Sequence, residues 1–243
     1  MTSLDFTAGQ THMGRAFIVG NGPSLKAEQL DKLIPEVSFA VNRIHLMYDK
    51  TGWRPDYYVY MDMSNTTNVV YAPDLSFHTQ QGYPCHIRSD IVAKFIEYGI
   101  SQRLDSWDIN ASMKNIQIVE QCNHIDAERK ATQEWHLDWT LCKQGGSVSG
   151  AIQLAVMEGY NPIYLIGCDG DLKGNANNHF SADYVHIDSM TVQMAILANK
   201  TLELAHEIAG RECKERGISI FNATVGGSAI GGIPHCDFND IFN

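Results

Sequence analysis

The chain predicts an α/β protein built on a doubly wound, Rossmann-like, mostly parallel sheet with a small lid or flap. Three observations lead there. Short apolar runs alternate with longer amphipathic stretches along the 243 residues, the pattern of strands joined by helical crossovers. The first apolar run, Phe17-Ile18-Val19, breaks straight into Gly20-Asn21-Gly22-Pro23-Ser24-Leu25, a strand-to-helix turn of small and polar residues. Five candidate strand ends carry a short amide or carboxylate: Asn21, Asn42, Asp62, Asp169 and Asn222.

Taken in order, a first strand is expected over 15–20 and a first helix over 25–34, where Leu25, Leu30, Leu33 and Ile34 are apolar. Pro23 suits a first helical turn and Ser24 a cap, which would leave amides facing an anion. Gly20 and Gly22 tolerate positive φ and let the backbone approach a ligand. A second strand covers 37–41, a short helical piece 44–48 and a third strand 57–61. Short strands are expected at 84–87 and 116–119, with Ser89 capping a helix between them. The polar, Trp- and His-rich stretch 121–143 reads as a loop or lid. A helix over 146–158, an apolar strand over 162–166 and a polar loop over 172–184 follow. One long helix from 188 to about 216, stopped by Gly217, leads to a last strand over 218–221.

The length accommodates one large α/β domain. Residues 1–14 are polar and aperiodic and read as a disordered or extraneous terminus. Residues 15–243 read as a single domain, with lids at 121–143 and 172–187. The net charge of -10, with no basic face, argues against nucleic acid as a partner. No apolar run is long enough to cross a bilayer, and no signal peptide is recognisable, so the expected location is the cytoplasm. The six cysteines are scattered without a Cys-x-x-Cys pair, as suits reduced thiols rather than a disulfide framework or zinc site. The tail over 225–242, with its glycines, Pro234, His235 and Asp237, reads either as a flap over the site or as a pairing surface for a homo-oligomer.

In a doubly wound sheet, ligands bind outside the carboxyl ends of the strands. That places Gly20, Asn21, Gly22, Ser24, Asn42 and Asp62 on a ligand, although short polar residues also make Asx-turns at strand ends. A second motif, Gln144-Gly145-Gly146-Ser147-Val148-Ser149-Gly150, opens a helix. Its bare amides and the Ser147 and Ser149 hydroxyls suit a phosphate, a ribose or a base edge. Neither a P-loop nor G-x-G-x-x-G is present. A third, Leu165-Ile166-Gly167-Cys168-Asp169-Gly170-Asp171, releases two carboxylates that face one way if strand geometry persists. They could hold Mg²⁺ or orient sugar hydroxyls; beyond Mg²⁺ no cofactor is implied. His179 and His186 follow, flanking Tyr184, and either suits a general base near neutral pH. His206-Glu207 does not complete a zinc-protease motif, because Gly210 stands where the second His would be.

Asn21-Gly22-Pro23-Ser24-Leu25, Val41-Asn42-Arg43, Arg54-Pro55-Asp56-Tyr57-Tyr58 ending at Asp62, Gly145-Gly146-Ser147, Tyr164-Leu165-Ile166-Gly167-Cys168-Asp169 and His179 resemble the 6-hydroxymethylpterin diphosphokinase-like (MptE-like) family. Phe221-Asn222-Ala223-Thr224, Gly226-Gly227 and Gly231-Gly232-Ile233-Pro234 extend the likeness. A related pattern occurs in bacterial lipooligosaccharide sialyltransferases. The resemblance implies a nucleotide-binding transferase, with Asn21, Asn42, Ser147 and Ser149 on a cytidine nucleotide and a His base after the Asp169 strand. Where the sialyltransferases carry two tyrosines just past that Asp, this chain has Asp171 and, roughly, His179.

Three readings follow. The first is a sialyltransferase-like glycosyltransferase of surface glycan synthesis, moving a sugar from a nucleotide donor to a glycan or small-molecule acceptor. Gly20, Asn21, Gly22, Ser24, Asn42, Asp62, Gly145, Gly146, Ser147 and Ser149 would hold the nucleotide, with His179, His186 and Asp169 catalytic. The second is a pyrophosphokinase acting on 6-hydroxymethylpterin with ATP, with Mg²⁺ on Asp169 and Asp171. The third is a non-catalytic nucleotide- or sugar-binding protein.

Overall fold

The computed structural model describes residues 13–61, 77–78, 81–88, 116–121, 140–141, 146–172, 178–184 and 192–243. The expected Ser89-capped helix lies outside them. The described strands are β1 (Ala16–Val19), β2 (Val37–Val41), β3 (Tyr57–Tyr60), β4 (Cys85–Arg88), β5 (Ile116–Gln121), β6 (Thr140–Leu141), β7 (Ile163–Ile166) and β8 (Ile220–Asn222). They form an eight-stranded sheet in the order β6-β5-β4-β3-β2-β1-β7-β8, and each described pair is parallel. The chain winds outward from β1 through β2 to β6, then returns to β1's other edge as β7. The doubly wound α/β fold expected from the sequence is therefore the observed one, and its topological switch point lies between β1 and β7.

Period-two alternation splits the sheet's side chains between two cores. Ala16 and Ile18 of β1, Phe39 and Val41 of β2, and Ile163 and Leu165 of β7 face α2 (Gly146–Met157) and α3 (Val192–Glu215). Phe17, Val19, Ala40, Tyr58, Tyr60 and Ile166 face the other way, toward α1 (Ala27–Lys32) and a 3₁₀ turn at Ile44–Met47. Both faces are covered, and the strand at the switch point is apolar throughout: all four residues of β1 are fully buried.

Several local expectations change. The first helix is six residues rather than ten and starts at Ala27, so Ser24 does not cap it. The Gln29 side chain accepts from the Lys26 N–H at 2.9 Å instead, closing the helix start from within. α3 ends as foreseen: Gly217 takes φ +70 and the Ile218 N–H reaches back to the Cys213 carbonyl at 2.8 Å. Within the stretch 121–143, Gln121 completes β5 and Thr140–Leu141 form β6, so part of the expected lid belongs to the sheet. Met13 and Gly14 are paired rather than frayed, the first donating to Gly159 and the second accepting from Asn161.

The tail packs into both cores. Phe242 stacks on Phe17 at 5.8 Å, Arg15 lies over the Phe242 ring and donates to the Ile241 carbonyl at 2.7 Å, and Ile233 is buried in the α2/α3 core. Asn222, one of the five polar strand ends, belongs to this packing. Its Oδ1 accepts from the Thr224 N–H at 3.1 Å and its Nδ2 donates to Ser228, the Asx geometry of a turn. No described helix is long and apolar enough to cross a membrane.

Candidate functional site

The carboxyl ends of β1, β2 and β7 meet at the switch point. Gly20 and Gly22 are required there by proximity to β7 rather than by φ, since neither adopts the left-handed region. Their N–H groups donate to the Ile166 and Gly167 carbonyls, each at 2.8 Å. A Cβ on Gly20 would lie 2.5 Å from the Gly167 carbonyl oxygen, and one on Gly22 would overlap the Asp169 carboxylate. The paired glycines thus let the β7 end cross the β1 end, bringing Asp169 onto the Gly22–Ser24 turn. The Ser24 hydroxyl donates to Asp169 Oδ2 at 2.9 Å.

Positive φ falls instead on Asn42, at +50, an amide-bearing residue that tolerates the left-handed region better than most. This turn sends its side chain toward α2. Asn42 Oδ1 accepts from the Ser147 hydroxyl at 2.7 Å, and that hydroxyl accepts from the Met61 N–H at 2.8 Å. Ser147 is therefore a bracket joining the start of α2 to the ends of β2 and β3, and both of its bonds are internal. Ser149 is buried two residues further along α2, and Gly146, at φ +60, opens that helix.

Asn21 is 7% exposed and ties three segments together. Its Nδ2 donates to the Val41 carbonyl at 2.8 Å and to the Tyr184 hydroxyl at 2.9 Å. The carbonyl accepts only, which fixes the amide's orientation. Among the described residues Asn21 Oδ1 is a buried acceptor without a partner. The Phe180 N–H donates to the Asn21 carbonyl at 3.1 Å, so the segment after β7 is also held to the end of β1. His179 sits in that segment, half-buried, with its ring stacked on Tyr184 at 3.7 Å and 18°.

Asn21, Asn42, Ser147, Asp169 and His179 are thus gathered around neighbouring strand ends. Asp62, Gly145 and His186 lie outside the described residues. The expected pairing of Asp169 with Asp171 does not hold: β7 stops at Ile166, and Gly167 and Gly170 both take positive φ, so strand alternation is lost. Asp171 is exposed, and the Ile230 side chain lies against Gly170. Among the described residues no group of three or more His, Cys, Asp or Glu side chains is placed to hold a metal. Cys168 is packed into the switch point, and burial pushes its thiol up to about 12, too high for a nucleophile at neutral pH. Its N–H donates to the Thr224 hydroxyl at 3.0 Å.

Arg43 is the residue to which the sequence motifs assign no role. Arg43 stands in the quoted Val41-Asn42-Arg43 run, and its burial, at 5% exposure, is a property of the fold that its sequence neighbours do not announce. Tyr184 offered only a phenol in a polar loop. Arg43 donates to distant backbone carbonyls, and the Tyr184 phenol meets a distant amide.

No protein-family model matches the chain, and no curated protein matches it, so the MptE-like resemblance rests on the motifs themselves. Solved structures do match. One is the Maf glycosyltransferase from Magnetospirillum magneticum AMB-1, at TM-score 0.55 and 14% identity over 96% of this chain and 35% of that one. Another is the sialyltransferase CstII from Campylobacter jejuni in complex with a substrate analogue, cytidine-5'-monophosphate, at TM-score 0.46 and 18% identity over 94% of this chain and 87% of that one. The chain spans about a third of the length of the Maf protein. At such identity the likeness concerns the fold, which is glycosyltransferase-like.

Proposed function

We propose that the chain is a nucleotide-dependent transferase of the glycosyltransferase type, moving a sugar from a nucleotide donor to the hydroxyl of a glycan or small-molecule acceptor. One observation carries the reading: a single buried amide, Asn21, joins the ends of β1 and β2 to the segment that bears His179. The topological switch point is where open α/β sheets take nucleotides, and here it gathers polar groups with capacity to spare. The free Oδ1 of Asn21 is an acceptor for a base or ribose donor. Asn42, with its Oδ1 committed to Ser147, turns its amide nitrogen to the same ligand. The first amides of α2 favour the phosphate. Asp169 orients ribose or sugar hydroxyls from its Ser24-anchored position.

In the transfer step a ring nitrogen of His179 takes the proton of the acceptor hydroxyl. The freed oxygen forms a bond to the anomeric carbon. The bond from that carbon to the donor phosphate oxygen breaks, and the nucleotide leaves with the electron pair. The motif resemblance adds the finer proposal of a sialyltransferase-like enzyme with a cytidine donor.

Calorimetric titration with CMP, UDP and GDP tests the reading. Binding of at least one, lost in Asn21→Ala with the fold retained, is the expected result. Absence of binding to all three at millimolar concentration overturns it.

A further inference from the structure

Arg43 takes no part in the chemistry just described, yet its surroundings determine where that chemistry's base lies. It follows the left-handed turn at Asn42 and is 5% exposed. A guanidinium so buried is costly unless its donors are met. Nη1 donates to the Asp183 carbonyl at 2.9 Å and to the Tyr184 carbonyl at 2.6 Å, and the guanidinium carbon lies 5.9 Å from the Tyr184 ring centroid. These carbonyls close the 3₁₀ turn Ala182–Tyr184, where the turn's own geometry leaves acceptors over. Tyr184 is thereby pinned at both ends, its backbone by Arg43 from β2 and its phenol by Asn21 from β1. The face of the pinned ring carries the His179 imidazole. Stacking contributes about 0.5–1.5 kcal/mol, so the imidazole keeps its place on the ring face only where the ring itself is held.

We infer that Arg43 is a positioning residue: it fixes the Tyr184 ring against which His179 rests, and so sets the imidazole beside the ends of β1 and β2. The placement stands on geometry. Its consequence for transfer rests on the proposed role of His179 as base.

Histidine side-chain ¹H–¹³C NMR of the full chain tests it. The His179 signals are assigned by their loss in His179→Asn. The Tyr184 face shields the His179 ring protons, and Tyr184→Leu marks their unshielded position. Arg43→Gln is expected to move the His179 signals to that position or to broaden them, while those of His86 and His206, elsewhere in the fold, stay in place. A general loss of stability would lower the melting temperature without this selectivity. If Arg43→Gln does not fold, Arg43→Lys is measured instead; its ammonium lacks the planar fork and is expected to move the same signals part of the way. Unmoved His179 signals in the folded variant overturn the inference. Where a nucleotide sugar is turned over, Arg43→Gln should lower kcat by about a hundredfold, the scale of general-base catalysis, with KM within about twofold. Failure of the nucleotide titrations would remove the transferase reading and leave the NMR result standing. Unmoved signals alongside nucleotide binding would do the reverse.

Discussion

Replacing Gly22 with alanine probes the crossing of β1 and β7 most directly. The added Cβ would overlap Asp169 Oδ2, lie 2.7 Å from Asp169 Cγ and 2.8 Å from the Gly167 carbonyl oxygen. The carboxylate can swing away only by giving up the Ser24 hydroxyl, while the carbonyl belongs to backbone and yields little. Overpacking of this kind costs about 1–3 kcal/mol. Loss of a hydrogen bond to a charged acceptor adds about 1–2 kcal/mol at this half-buried position. The sum, about 2–5 kcal/mol, corresponds to a melting-temperature loss of about 4–20 °C for a chain of this size. The carboxylate's share is separable. In an Asp169→Ala background the overlap and the Ser24 bond are already gone, so Gly22→Ala there should meet only the Gly167 carbonyl and cost about 1–2 kcal/mol less. Urea denaturation of the four proteins in the cycle measures this coupling. Additivity within about 0.5 kcal/mol would refute the claim that Gly22 is glycine because of Asp169.

Acid should destabilise the fold through its buried histidines. Burial lowers His86 to about 4, against an opposing hydrogen bond to Gln117, and draws His78 and His206 down as well. A depressed histidine binds its proton more readily when unfolded, so stability is undiminished above about pH 6.5 and falls as pH drops toward 4. The His86 share is on the order of 3 kcal/mol. Denaturation midpoints from pH 7 to 4 check this, and His86→Gln should flatten the curve. At Asn42, alanine should be less stable than glycine by about 1 kcal/mol, because both lose the Ser147 acceptor but only alanine resists φ +50; thermal melts of the two variants decide it. His179→Asn should leave nucleotide affinity within about threefold and lower transfer by at least about a hundredfold, measured by release of free nucleotide from a nucleotide sugar. Equal losses in both would remove His179 from the base role.

Local chemistry made much of the architecture legible. Strand alternation in Ala16–Val19 and Val37–Val41, and the glycine stop at Gly217, depend on near neighbours in the chain, and sequence carries those directly. Asn21 and Asn42 were recognisable as strand-end amides for the same reason. Asn222 looked identical in sequence, yet closes a turn in the tail, because nothing local separates an amide facing a ligand from one serving its own backbone. Sequence makes Ser24 a cap, but the helix starts three residues later and the Ser24 hydroxyl donates to Asp169, a residue far along the winding.

The amino-acid order determined the strand and helix periods, the parallel winding they imply and the clustering of small and amide residues at strand ends. Tertiary structure decided what those residues do. Glycine at 20 and 22 answers to the β7 backbone crossing over it, Ser147 to an amide on β2, and Arg43 to two carbonyls beyond β7. Backbone carbonyls and close approaches have no residue identity of their own, so only the folded chain reveals which side chain they require.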